Sequence, residues 1–232
     1  MKNKNLISVI MSVFNGEDSI AESLLSIQKQ SYKNLEILVL DDGSTDSTYK
    51  ILNEIAKQDK RIVLFKNPKN IGLTKSLNFL LSNCNGFFIA RQDSDDISKE
   101  SRLKLQIEFL KKYNLDVCTT MAQSIQTGKT LHQKSQYFPQ SLVFRYKNPY
   151  IHGSLLTKID TLKSVNFYDE RFYYAQDYKL FSDLIKKKKK IKIFKKPLYL
   201  LNQKNNISSN YYDEQQYYAR CVKKGKIPNF EN

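Results

Sequence analysis

"LISVIMSVFNGEDSIAESLLSIQKQSYKNLEILVLDD", Leu6 to Asp42, holds two short β-rich runs with one helical pattern between them. The runs Leu6–Phe14 and Leu35–Asp42 are largely apolar and bounded by polar residues, as strands are when both faces of their sheet are covered. Between them Ile20, Leu24, Leu25 and Ile27 recur at helical spacing, and Ser19 followed three residues later by Glu22 has the form of a capping box. Strand, helix and strand in this order make a βαβ unit, which brings its two strands parallel.

The alternation continues with a helix in "TDSTYKILNEIAK", a strand "RIVLFKN", a helix "LTKSLNFLLSN" and a strand "FFIAR". The expected fold is therefore α/β, a doubly wound and mostly parallel sheet with helices on both faces. Ligands in such sheets bind at the carboxyl ends of the strands. Asp42, Asp93 and Asp95 each follow the carboxyl end of a predicted strand and so fall on one rim. Beyond Lys112 the pattern loosens. "DVCTTMAQSI" and "IHGSLLTK" read as strands, "YAQDYKLFSDLIKK" as a helix, "KIKIFKKPLYLL" as one or two closing strands, and the polar, aromatic stretch Gln126–Tyr150 as a loop over the site. The expected organisation is one domain over residues 1–204 and a polar, tyrosine-rich tail over 205–232 with no clear role.

A hydrophobic fraction of 41% in 232 residues is enough for one core and too much for a disordered chain. No apolar run approaches the roughly 20 residues needed to span a bilayer, and the first residues lack a small-residue cleavage site, so an unexported, cytoplasmic chain is expected. Cys84, Cys118 and Cys221 are widely spaced and form no CxxC, which fits reduced thiols. The net charge is +15, and "KKKKKIKIFKK", Lys186–Lys196, packs eight lysines into eleven residues. Such a run attracts anionic lipid, nucleic acid or phosphorylated substrates; equally, it is what a solvated helix end running into a protected edge strand looks like.

Three constellations carry possible chemistry. In "FFIARQDSDDIS", Asp93, Asp95 and Asp96 crowd within four positions after an apolar strand, an arrangement tolerable when a hard divalent cation sits between carboxylates and a phosphate. Helix capping is the alternative for Asp96 and Ser98, ahead of "KESRLKLQIEFLKKY". In "VLDDGSTDST", Ser44, Thr45 or Asp46 can cap the next helix, while Asp41 or Asp42 is placed to accept hydrogen bonds from a base or ribose. In "FYYAQDYKLFSDLIKK", Asp177 either stabilises a helix N-terminus or, opposite a metal site, serves as a general base.

The stretch from Ile7 to Thr48, then "NPKNIGLTKSLN", "FIARQDSDDISKESRLKLQIEFL", "NPYIHGSLLTK" and "YDERFYYAQDYKLFSDLIKK", closely resembles in order and spacing the family 2 glycosyltransferases of the GT-A fold, over roughly Leu6 to Pro197. The resemblance implies an inverting transfer of sugar from a nucleotide-sugar donor to a glycan or lipid-linked acceptor, of the bacterial cell-surface polysaccharide type. It implies that Ser12, Val13, Asn15 and Asp42 line the nucleotide pocket, with Lys75 near the donor. It implies Asp95 as the direct Mn²⁺ or Mg²⁺ ligand, Asp93 nearer the ribose or the metal, and Asp177 as catalytic base. The chain departs from the family at Gln176, where a Glu usually stands beside the base, and in "LLNQKNNISS", where Gln203 or Lys204 stands in place of a histidine. His152 is equally suited to packing and to facing the acceptor.

Two other classes compete. A polyanion-binding module would use the lysine run, but the acidic rim repels phosphate, so no nucleic-acid partner is expected and a peripheral contact with the anionic inner face of the plasma membrane is the favoured use of the lysines. A nucleotidyltransferase would want a glycine-rich phosphate loop, and "SVFNGEDS" has only Gly16.

Overall fold

In a computed structural model, residues 3–131, 138–204 and 211–229 are described. Strands β1 (Asn3–Val13), β2 (Leu35–Asp41), β3 (Ile62–Lys66) and β4 (Gly86–Arg91) are mutually parallel, in the order β3-β2-β1-β4. Their connections are the helices α1 (Ile20–Gln28), α2 (Thr48–Gln58) and α3 (Leu73–Ser82). The sheet then continues through β7 (Leu156–Lys158), antiparallel to β4, to β6 (Val117–Ser124), β8 (Ile191–Leu201) and the two-residue β5 (Ile97–Ser98). The expected α/β sheet is therefore present and mostly parallel, with β7 and β5 as its antiparallel members.

The residue alternation of β1 shows how two layers form. Ile7, Val9 and Met11 point into one core with Leu24 and Ile27 of α1, Leu52 of α2 and Leu103 and Ile107 of α4 (Arg102–Lys112). Ile10 faces the other core, with Leu77 and Leu80 of α3, Leu162 of α6 (Ile159–Lys163), and Leu180 and Phe181 of α7 (Gln176–Lys186). Each of these aliphatic side chains, taken out of water, contributes roughly 1.5–3 kcal/mol.

Several local expectations are corrected. Ser19 precedes α1, but its side chain makes no capping hydrogen bond; the N–H groups of Ser19 and Ile20 instead bond to Gly16 O at 3.1 and 2.9 Å, so a turn starts the helix and the Ser19–Glu22 box does not form. Asp96 and Ser98 do not cap α4, which starts at Arg102: Asp96 accepts the Asn202 N–H at 2.7 Å and Ser98 Oγ donates to Gln92 Oε1 at 2.6 Å. "IHGSLLTK" is a 3-10 turn, His152–Ser154, followed by only three strand residues. Within the stretch read as a loop, Gln140–Tyr146 form α5; residues 132–137 lie outside the described residues.

Residues 205–210 of the tail are also outside the described residues, but Tyr212–Lys224 form a helix, α8. Tyr218, Cys221 and Val222 pack it against Phe172, Ala175 and Tyr178. The lysine run covers the end of α7 and the first half of β8. There, among the described residues, β8 pairs only with β6, because β5 reaches no further than Tyr199 and Leu200. Lys187, Lys188, Lys190, Lys192, Lys195 and Lys196 are exposed along this free edge, as suits a strand protected from edge-to-edge association.

Candidate active site

The rim is built at the carboxyl ends of β1, β2 and β4. At one side, Val13 O accepts the Asp42 N–H at 2.8 Å, bringing the end of β1 against the residue after β2. Asn15, in the left-handed region at φ 50, ties the two loops together: its Oδ1 accepts the Thr45 N–H at 2.9 Å and its own N–H donates to Ser44 Oγ at 2.9 Å. Gly43 cannot carry a side chain, since a Cβ there would come within 2.5 Å of the Lys69 backbone. The N-cap of α2 is Ser47, not Ser44, Thr45 or Asp46, and its side chain makes no capping bond; Asp46, one residue earlier, accepts the Thr48 N–H through Oδ1 at 3.0 Å.

Asp42 is buried, and its carboxylate organises the loop after β3. Oδ1 accepts from Asn67 Nδ2 at 2.7 Å and from the Ile71 N–H at 3.1 Å, and Oδ2 from the Gly72 N–H at 2.9 Å. A carboxylate has about four acceptor positions, so one is left for a ligand. Asp41 is fully buried; its Oδ1 accepts the Ser44 N–H at 3.2 Å while Oδ2 has no partner among the described residues. Ser12 is buried at the end of β1, and Lys75 is exposed on the first turn of α3.

On the acidic side the determining residue is Arg91, the last of β4 and fully buried. Its guanidinium forms an ion pair with Asp93 and acts electrostatically on the Tyr168 hydroxyl. That hydroxyl lies 2.7 Å from His152 Nε2. Burial and the Arg91 charge push the His152 pKa well down, so the ring is neutral and accepts the tyrosine proton. His152 thus packs into the wall of the site. A second buried arginine, Arg102, donates to the carbonyls of Arg91 and Gly153, and burial lowers its pKa to about 10. Tyr199 accepts the Asp93 N–H at 3.1 Å and bonds to Asp96. Gly153 is packed so closely beneath that a Cβ would meet Tyr199 Oη at 2.1 Å and Asp93 Oδ2 at 2.4 Å.

The acids repel one another. Burial first, then the Asp93 charge, raises Asp95 to about 6; burial with the charges of Asp93 and Asp95 raises Asp96 to about 8. Asp177 stands in the first turn of α7. Its Oδ2 accepts from Asn148 Nδ2 at 2.7 Å, and burial raises its pKa above the usual carboxylate range, opposed by the Tyr178 backbone N–H, Asn148 and the Arg91 charge. The rise comes from burial, so the uncharged Gln176 beside Asp177 does not prevent it. Arg91 acts electrostatically on Asp93, Asp95 and Asp177 alike, and Tyr168 feels both Asp93 and Asp177. The rim acids and the acid of α7 therefore all feel the charge of Arg91.

Among the described residues no group of three or more His, Cys, Asp and Glu side chains is arranged to hold a metal ion. The residues nonetheless fit a Mg²⁺- or Mn²⁺-type ion, which takes one or two protein carboxylates and fills its shell from phosphates and water. Asp95, destabilised by burial and a like charge with only its own backbone lowering its pKa by hydrogen bonding, is the carboxylate that such an ion would relieve. A cavity of about 390 Å³ lined by Phe87, Leu110 and Lys158, among others, opens at the start of β4, the end of the sheet away from the rim, and no acid lines it.

The structure brings Val13, Asn15 and Asp42 together at the ends of β1 and β2 and Arg91, Asp93, Asp95 and Asp96 together at the end of β4, while Asp177 stands on α7 within the electrostatic reach of Arg91. Sequence reasoning missed Arg91, Asn148, Tyr168 and Tyr199. An arginine closing the apolar run "FFIAR" was a readable signal, since a charge is seldom fully buried without a partner; the two tyrosines and Asn148 carried none.

The glycosyl transferase family 2 model matches residues 8–181. An uncharacterized glycosyltransferase of Haemophilus influenzae is 32% identical over 198 residues, 79% of this chain; the chain spans 61% of that relative's length. A putative teichuronic acid biosynthesis glycosyltransferase of Bacillus subtilis, TuaG, is 31% identical over 186 residues, covering 79% of this chain and 73% of its own. A solved mannosyltransferase from Pyrobaculum calidifontis, in complex with GDP-Man and Mn²⁺, has the same fold, with a TM-score of 0.74 at 18% identity over 96% of this chain and 65% of its own. The rim of carboxylates on a mostly parallel sheet thus sits within a matched stretch that covers most of the chain, and the protein belongs to glycosyl transferase family 2.

Proposed function

We propose that the protein transfers a sugar from a nucleotide-sugar donor to an acceptor hydroxyl with inversion, in the synthesis of a cell-surface polysaccharide or lipopolysaccharide. The observation that carries this reading is the crowding of Asp93, Asp95 and Asp96 at the rim beside the fully buried Arg91, whose charge also acts on the buried Asp177. Acids that repel one another this strongly are held together for a task, and perturbed carboxylates at the rim of an α/β sheet mark a working site.

The nucleotide lies at the Val13–Asn15–Asp42 end, where the remaining acceptor position of Asp42 meets a base or ribose donor and Ser12 adds polar surface. Lys75 stands on the helix beside that end. Asp95, with Asp93, would hold Mn²⁺ or Mg²⁺; when bound, the ion neutralises charge developing on the departing nucleoside diphosphate. Lys204, exposed two residues beyond Asn202, whose N–H bonds to Asp96, adds a cation for the phosphates in the place where the histidine is missing. Asp177 accepts the proton of the acceptor hydroxyl as its oxygen attacks the anomeric carbon. Burial strengthens it as a base, and Asn148 keeps one oxygen oriented. The acceptor is a glycan or a lipid-linked sugar.

β8 runs in the same direction as β4, so the exposed lysines at its start lie at the end of the sheet opposite the rim. A peripheral contact with the anionic cytoplasmic leaflet through them leaves the cleft open to solvent. Equal recovery on liposomes with and without anionic lipid removes this contact from the proposal. Among the described residues no helix is long and apolar enough to cross a membrane.

The test of the reaction is a screen of nucleotide sugars with Mn²⁺, following thermal stabilisation and release of nucleoside diphosphate. One donor should stabilise the protein and be slowly hydrolysed. Release of pyrophosphate in its place would indicate nucleotidyl transfer.

A further inference from the structure

We propose that the C-terminal helix α8, which lies beyond the residues matched to the family, belongs to the working site, and that Gln215 is the positioning residue that holds Asp177 in place. This rests on the reading of Asp177 as base. Asp177 inherits its position from the start of α7, and that start is unusual: Ala175, the residue before the helix, adopts φ 49, ψ 27. A side chain with a Cβ rarely occupies this left-handed region without help from its surroundings.

The help comes from α8. The Ala175 N–H donates to Gln215 Oε1 at 3.1 Å, across forty residues of chain. Ala175 is only 4% exposed, so without that oxygen its N–H would be left largely unsolvated and the turn would lose its tether. Gln215 is itself held in register, because the next turn of α8 packs Tyr218 edge-on against Phe172 at 6.0 Å, with Cys221 and Val222 behind it. Tyr211, just before α8, lies 5.3 Å from Tyr174.

The opposite side of the same segment is fastened to the donor end. Thr74 Oγ1 donates to Phe172 O at 3.1 Å, and the Tyr173 ring lies so close over Gly72 that a Cβ there would come within 2.6 Å of it. Gly72 is also the residue whose N–H bonds to Asp42. Residues 172–175 are thus clamped between the nucleotide carboxylate on one side and Gln215 on the other, and Asp177 follows two residues later. Displacing a reacting group by about 1 Å can cost 10²-fold in rate. Losing the Gln215 contact therefore acts on turnover through Asp177, while the donor carboxylates stay in place.

The experiment compares the full chain with Gln215→Ala, Gln215→Glu and the pair Gln215→Ala/Ala175→Gly. It measures kcat and donor affinity for the donor found by screening, together with amide hydrogen exchange of residues 172–178. Gln215→Ala should lower kcat by about 10- to 100-fold with donor affinity changed less than about twofold, and should speed exchange in that segment. Gln215→Glu retains an acceptor oxygen and should stay within about threefold of the parent. Ala175→Gly, which adopts the left-handed turn without strain, should recover most of the loss in the double variant. A helix that merely stabilises the fold would lower kcat and donor affinity together and would gain nothing from the glycine; that pattern, or unchanged kcat or exchange in Gln215→Ala, overturns the role. A parent chain that releases no nucleoside diphosphate from any donor overturns the reading of Asp177, and this role with it.

Discussion

Asp42, at the end of β2, takes its hydrogen bonds from two backbone N–H groups and Asn67, whereas Asp177, on α7, takes its side-chain hydrogen bond from Asn148 and its position from a left-handed turn. Backbone donors are fixed by the sheet and its loops, and cannot be removed by a single side-chain change. Side-chain donors can. The half around Asp42, the proposed donor half, is thus a rigid frame, and the half around Asp177, the proposed acceptor half, is held by contacts that one substitution can break. Damage on the first side should appear in binding and damage on the second in turnover.

The largest effect expected is on the second side. Asp177→Asn removes the base and should lower kcat by about 10²- to 10⁴-fold, measured as nucleoside diphosphate release at saturating acceptor. Next comes the donor side. Asp95→Ala should weaken the Mn²⁺-dependent binding of donor by about tenfold or more, read by titration with and without the ion.

A smaller change sharpens the contrast. Asn148→Ala deletes the side-chain donor to Asp177 and should lower kcat by about tenfold near neutral pH with donor affinity kept. The sign of its pH effect is fixed. Asp177 has a raised pKa in the folded chain, so activity falls as pH drops through that raised value, above the roughly 3.9 of a free Asp. Asn148 lowers that pKa, so its loss moves the acid limb of the kcat profile to higher pH.

The smallest effect expected is on stability. Asp95, at about 6, and Asp96, at about 8, have folded values above the unfolded one, so the folded state binds protons more tightly. Without Mn²⁺, melting temperature should therefore fall as pH rises from about 5 to 8. The lowered groups Asp46, Asp59 and Asp169 do not offset this, because their stabilisation is already complete above about pH 5; the neutral His152 opposes it up to about pH 6.5, one group against two, so the fall is steepest above that pH. A melting temperature that rises across this window would contradict the directions given for the rim acids.

The donor half was legible because each of its features is local. Apolar runs, a 3.6-residue period in α1 and aspartates after strands can all be read from adjacent residues. The acceptor half depends on contacts between distant residues. Nothing near Asn148 announces that it meets Asp177, 29 residues on, and Arg91 gathers Tyr168 and Asp177 only once β4 and α7 are packed. Helix α8 did carry a signal, with Tyr218, Cys221 and Val222 at helical spacing, but tyrosines crowd the segment and conceal the apolar stripe. The expected caps at Ser19, Asp96 and Ser98 failed because a turn at Gly16, the Asn202 N–H and Gln92 supplied competing partners.

The separation of roles is tested most directly by thermal stabilisation of three proteins side by side, the parent, Asp95→Ala and Asp177→Asn, each with Mn²⁺ and the donor found by screening. The parent and Asp177→Asn should be stabilised equally, and Asp95→Ala should lose most of the shift. Stabilisation of Asp95→Ala equal to the parent's, or its loss in Asp177→Asn, would contradict a cleft in which one acid serves the donor and the other the acceptor.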